Sequence, residues 1–185
     1  MTAPNALALC TRALLKIGAA PVTSLEDGTA EAEVAANLYP GARDALLSCH
    51  PWSFATGQTS LGRLEAAPLS GFARAFQLPA DLLRAIQIVP RAPFRVQEGR
   101  LLTDAGDVTL TYVFRPAESE WPPIFAAALV ARLAAEFCVP LTESASRAET
   151  LYRLAEAELR TAKLADGQGQ TPRAITSFPL LDVRG

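Results

Sequence analysis

The sequence predicts a mainly α protein: a four-helix bundle interrupted by a small antiparallel β insertion and followed by an extended C-terminal arm. Three observations predict it. Apolar residues recur at helical spacing in the first fifty residues and again after residue 122. Between about 62 and 115 the chain switches to short apolar and β-branched runs bounded by Pro, Gly and Asp. After Gly167 the helical period stops, yet apolar residues continue. A single domain is therefore expected over 1–167 and an arm over 168–185.

The first helix is expected over about 4–17, with Leu7, Cys10, Leu14 and Leu15 on one face and Gly18 in the place of a C-cap. A second is expected over 29–49, with Glu31 and Glu33 favourably placed in its first turn and Pro40 predicting a kink. The middle offers five strand-like runs: RAFQLP, AIQIVP, PFRVQ, RLLTD and DVTLTYVF. They predict a sheet of about three to five strands. Glu98-Gly99 and Asp104–Asp107 are expected hairpin turns. A third helix follows over 122–139, opened by Pro122-Pro123 and ended by Pro140. The fourth, 143–166, turns Leu151, Leu154, Ala155 and Leu159 inward and Arg147, Glu149, Arg153, Glu156 and Arg160 outward. Helices from both ends of the chain must pack together, since each has an apolar face to bury.

Composition narrows the function. Half of the 185 residues are hydrophobic and 19% are charged, which is globular. A net charge of -2 lacks the basic excess that a general nucleic-acid binder uses to hold phosphates. The basic residues are nearly all Arg, which reads as a bias of genome composition, with interface pairing as the second reading. Three cysteines, Cys10, Cys49 and Cys138, show no metal or disulfide spacing and fit a reducing compartment. No signal peptide is expected. The longest apolar run, Ile124 to Ala135, is broken by Arg132 and falls short of the ~20 residues a bilayer span needs.

Chemistry-bearing patterns are sparse. The stretch SCHPWSFA holds the single histidine, His50, beside Cys49. Neighbours on a helix end diverge by ~100°, which disfavours a Cys/His nucleophile pair. Pro51 pushes His50 out of the α region, so the helix must end near Cys49. Trp52 and Phe54, at strand-like spacing, then close over the bundle. His50, Pro51, Trp52 and Phe54 are therefore expected to form a structural anchor, with a subunit contact through Trp52 as the sharper alternative. Glu118 and Glu120 fall in a polar loop, and Glu136 is expected to pair with Arg132 one turn earlier. No phosphate loop, metal set or cofactor motif occurs, so no cofactor is expected.

The arm, GQGQTPRAITSFPLLDVRG, starts as a linker and carries Ile175, Phe178, Leu180, Leu181 and Val183, too apolar for a solvated end. It either folds back on its own domain or docks on a partner as an added strand or groove ligand. Partner docking through Arg173, Ile175, Phe178, Leu180 and Leu181 is the favoured expectation.

The opening, from Ala6 to Ala55, resembles the head–tail adaptor proteins of tailed bacteriophages, including the tail tubular protein A type of short-tailed phages. The residues that carry the resemblance are Ala13 to Gly18, Pro21-Val22, Ser24-Leu25, Asp27, Tyr39, Arg43-Asp44, Leu46-Leu47 and His50-Pro51-Trp52. Leu78-Pro79-Ala80-Asp81-Leu82-Leu83-Arg84 and the run from LTYVFRP to WPPIFAAALVARLAAEF continue it, so that it covers about Leu7 to Ala165. The resemblance implies a helical bundle with a β insertion and no enzymatic activity. It implies a ring of about twelve copies beneath the portal protein, closed by head-to-tail contacts. DNA would pass through that ring without specific binding, and a tail-side neck or stopper protein would attach below it. The location implied is the neck of a phage, prophage or gene-transfer-agent particle, assembled in the bacterial cytoplasm, with no membrane involved. A tail-tube or stopper component is the alternative within particle assembly; a small cytoplasmic enzyme using Cys49 and His50 is the alternative outside it.

Overall fold

The computed structural model of the protein describes residues 5–68 and 71–169. Its elements are α1 (Ala6–Ile17), α2 (Ala30–Ser48), a short 3-10 turn (Ser53–Ala55), β1 (Thr56–Ser60), β2 (Arg74–Gln77), β3 (Leu82–Val89), β4 (Phe94–Gln97), β5 (Arg100–Thr103), β6 (Thr109–Phe114), a second 3-10 turn (Glu118–Glu120), α3 (Pro123–Thr142) and α4 (Ala145–Gln168).

Helix ends follow local chemistry. The side chains of Asn5, Thr29 and Ser144 accept hydrogen bonds from Ala8, Ala32 and Arg147 and cap α1, α2 and α4. Gly18, at φ 76°, closes α1 in the left-handed region, where a side chain would be strained. Asp27 Oδ2 accepts from Thr23 N, Thr23 Oγ1 and Ser24 N and shapes the α1–α2 loop. The hydrogen bond from Ser24, helped by those from Thr23, outweighs desolvation and lowers its pKa.

α3 is the hub. It packs most extensively on α4, then on α1 and α2, while α1 and α2 touch each other far less. Phe125, Leu129, Leu133 and Phe137 lie fully buried along it, with Ala128, Ala131, Ala134 and Ala135 filling its other faces. On α4 the buried positions are Ala148, Ala155 and Ala162, spaced seven apart, and small residues let the two helices approach closely. Leu154, expected inward, is 57% exposed; it lies one position off that stripe. Pro140 does not end α3, which runs on to Thr142 before Glu143 adopts φ 55°. Pro40 also stays inside α2. At 20 residues and a mean hydropathy of 1.9, α3 is long and apolar enough to cross a membrane, unlike the shorter run expected from sequence. Contacts with three other helices account for that apolarity.

The fold is α+β, which corrects the expected mainly α four-helix bundle. Two three-stranded antiparallel sheets form, in the orders β1-β6-β3 and β2-β5-β4. β1, with the sequence TGQTS, has no apolar alternation to announce it, yet pairs with β6 from Thr56↔Val113 to Ser60↔Thr109. The β region therefore begins before residue 62. Glu98-Gly99 makes the β4–β5 hairpin with both residues at positive φ. Asp104–Asp107 is no hairpin: it carries the chain from β5 in one sheet to β6 in the other.

Strand β6 explains the layering. Alternate residues of a strand face opposite ways. Val113 joins the helical core, and Leu83 and Ile86 of β3 pack beside it. Leu110 and Tyr112 join a second core with Phe76, Leu78, Ile88, Leu101 and Val108. The first sheet thus lies between the helices and the second sheet.

Candidate functional site

The SCHPWSFA stretch lies where α2 meets β1. α2 stops at Ser48, with Cys49 N still bonded to Ala45 O. Trp52 then turns inward, 1% exposed, and its indole N–H donates to Leu46 O at 2.9 Å. Residues 53–55 coil into a 3-10 turn instead of extending as a strand. Phe125 of α3 is the centre of the resulting aromatic cluster. Its ring meets Trp52, Phe54 and Trp121 edge-on, at centroid distances of 5.0, 5.0 and 5.2 Å. Such pairs add about 0.5–1.5 kcal/mol each beyond their burial.

His50 and Cys49 point to separate partners. Cys49, exposed, donates to Leu46 O. His50 Nε2 lies 3.2 Å from Asp166 Oδ2 near the end of α4, and its ring stacks edge-on against Trp52 at 4.8 Å. Asp166 Oδ1 also accepts from Ser53 N at 3.0 Å and from Ser53 Oγ at 2.6 Å. Serine, histidine and aspartate meet here, but in the wrong order for hydrolysis. A catalytic base must sit between nucleophile and carboxylate. Here the serine hydroxyl donates to the carboxylate, leaving no imidazole to take its proton. The arrangement ties α4 to the α2–β1 junction.

Sequence reasoning missed Asp166, although a signal existed. A carboxylate in the last turn of a helix opposes the negative end of the helix dipole and needs donors of its own. Ser53 and His50 supply them.

A second clasp holds α2 to the end of β6. Asp44 bridges Arg43 (2.8 Å) and Arg115 (2.7 Å), and Glu118 Oε1 accepts from Tyr39 Oη at 2.9 Å. Desolvation of the Asp44 carboxylate opposes ionisation, but the hydrogen bonds and charges of Arg115 and Arg43 outweigh it and lower its pKa. Burial, reinforced by Glu118, pushes the Tyr39 hydroxyl far above its ordinary range. Glu136 receives Arg132 at 2.6 Å, and Arg132 also lies over the Tyr152 ring. Burial alone raises the Cys10 thiol to about 12, so it stays protonated and unreactive. Among the described residues, no three His, Cys, Asp or Glu side chains gather as a metal site.

An open recess of about 200 Å³ lies beside the anchor, lined by Phe54, Pro122, Ile124, Ala162, Ala165 and Gly169 among others. The arm residues Arg173, Ile175, Phe178, Leu180 and Leu181 lie outside the described residues. Compared with known proteins, the chain matches no family model and no curated protein.

Proposed function

We propose that the protein is a structural head–tail adaptor, assembling as a ring of about twelve copies between the portal of a phage or phage-like particle and a tail-side neck or stopper protein. The observation that carries this reading is the ordered motif set from Ala13 to Arg84. Physical support comes from what its residues do. Gly18 and Asp27 shape the α1–α2 loop. Tyr39, Arg43 and Asp44 bind the β6–α3 connection, and His50 and Trp52 tie α2 to α4 and α3. Their polar groups are engaged by the scaffold.

The surface is compatible with subunit contacts. Leu15, Val139, Leu154 and Leu164 are between 47% and 68% exposed, and Val34, Leu38 and Pro140 line a shallow groove between α2 and α3. Single exposed apolar residues are ordinary; several on helices suit the closing contacts of a ring. A net charge of -2 lets DNA pass without retention. On this reading the arm, through Arg173, Ile175, Phe178, Leu180 and Leu181, reaches the portal or a neighbouring subunit.

Co-sedimentation of the purified chain with portal rings from the same gene cluster, imaged by electron microscopy, tests it. A stoichiometric second tier on the ring is the expected result, and its symmetry gives the copy number. A folded chain that ignores the portal overturns the adaptor reading in favour of a distal tail component.

A further inference from the structure

The recess beside the aromatic anchor lies at the end of α4. Asp166 fixes the last turn of α4 through Ser53 and His50. That clasp delivers Gly169 to the rim of the recess it helps to line. The recess walls are Trp52, Phe54, Pro122, Ile124, Ala162 and Ala165. Its polar lining groups, Ser53 and Asp166, are already bonded to each other. What remains open is apolar.

From the size of the recess and the place where the chain leaves it, we infer that the recess is the seat of the chain's own Phe178, held in cis. An apolar cavity of roughly 150 Å³ accommodates a benzene ring. The recess, at about 200 Å³, takes one phenyl side chain with little to spare. The nine residues from Gln170 to Phe178 reach up to about 30 Å when extended, ample for a return to the rim. So short a tether holds Phe178 at an effective concentration in the ~mM range, far above any second copy in dilute solution. This inference concerns the free chain alone and does not rest on the adaptor reading; a partner that binds the arm would compete with the recess for Phe178.

Amide hydrogen exchange on the full chain tests the inference. In the wild type, the segments holding Ser53 and Ala162 to Gly169 exchange about fivefold more slowly than in Phe178→Ser, the ratio expected for a submillimolar contact tethered at ~mM. α1 exchanges equally in both, which reports an unchanged fold. Equal exchange at the recess overturns the inference. So does protection that grows with protein concentration, which would assign the recess to the arm of another copy. A second variant, Leu164→Cys/Ser177→Cys in a Cys49→Ser background with Phe178 kept, should form an intramolecular link with a short bismaleimide at every protein concentration, and faster than the same variant carrying Phe178→Ser. Failure to link, or links only between chains, has the same overturning force.

Discussion

The core between the helices and the first sheet is large and centres on one cluster of rings around Phe125; the core between the two sheets is small and sets Phe76 and Tyr112 among aliphatic side chains. In the first, Phe125 touches three aromatic rings and α3 is buried on nearly every face. In the second, Phe76 meets Leu78, Ile88, Leu101, Val108, Leu110 and Tyr112, and the outermost sheet exposes most of β4. The difference teaches where cooperativity resides. Removing the hub of the helical core should unfold the molecule, whereas damage to the outer core should loosen one sheet. Phe125→Ala is expected to cost about 4–5 kcal/mol, measured by urea unfolding. Phe76→Ala should cost about 3 kcal/mol. Its hydrogen exchange should quicken in β2, β4 and β5 while α1 and α3 stay protected. Equal acceleration everywhere would show that the two cores are one cooperative unit.

Next in size is the clasp that joins the ends of the helical layer. The Asp166 side chain is 7% exposed and accepts from Ser53 twice and from His50. Asp166→Ala leaves those donors unsatisfied and should cost about 1–3 kcal/mol. The loss should concentrate at the last turn of α4. If Asp166→Ala loosened the outer sheet as well, the division between the two regions would fail.

The outer region has few features a sequence can hide, yet it concealed the fold class. Five of the six strands were legible because they are apolar runs between turn residues. β1 was not, because an edge strand with polar residues on both faces owes its place to β6 and not to its own pattern. The turn at Asp104–Asp107 is the same composition whether it closes a hairpin or crosses between sheets, so one sheet was expected where two exist. In the helical layer, α3 outran Pro140 because burial on every side outweighs one lost hydrogen bond. Trp52 and Phe54 were legible as an anchor, but Phe125 and Asp166, distant in sequence, were not assigned to it. Periodicity states which face is buried, and it is silent about what it is buried against.

The clasp of Asp44 spans both regions, since Arg115 follows β6 and Asp44 lies on α2. The folded pKa of Asp44 is lowered, so its contribution is present above the ordinary Asp value of about 3.9 and is lost as pH falls through the lower folded value. The pair is partly exposed and screened, so Asp44→Asn should cost only about 0.5–1 kcal/mol near neutral pH. In urea unfolding that gap should close well below pH ~4. A gap that persisted in acid would mean that the Asn side chain itself disturbs α2.

The smallest effects sharpen the comparison most. Each region places one glutamate in the left-handed region: Glu143 at the end of α3, with φ 55°, and Glu98 in the β4–β5 turn, with φ 52°. Glycine adopts that conformation freely but loses more chain entropy on folding, so each Glu→Gly change should gain only about 0.5 kcal/mol. The two gains should nevertheless be read in different places. Glu143 joins α3 to α4 at the heart of the cooperative core, so Glu143→Gly should shift the whole urea transition. Glu98 holds the tip of a hairpin in the outer sheet, so Glu98→Gly should slow exchange in β4 and β5 while leaving the global midpoint nearly fixed. If Glu98→Gly moved the global midpoint as far as Glu143→Gly, the outer sheet would have to unfold only with the helices, and the ringed core would not be the seat of cooperativity.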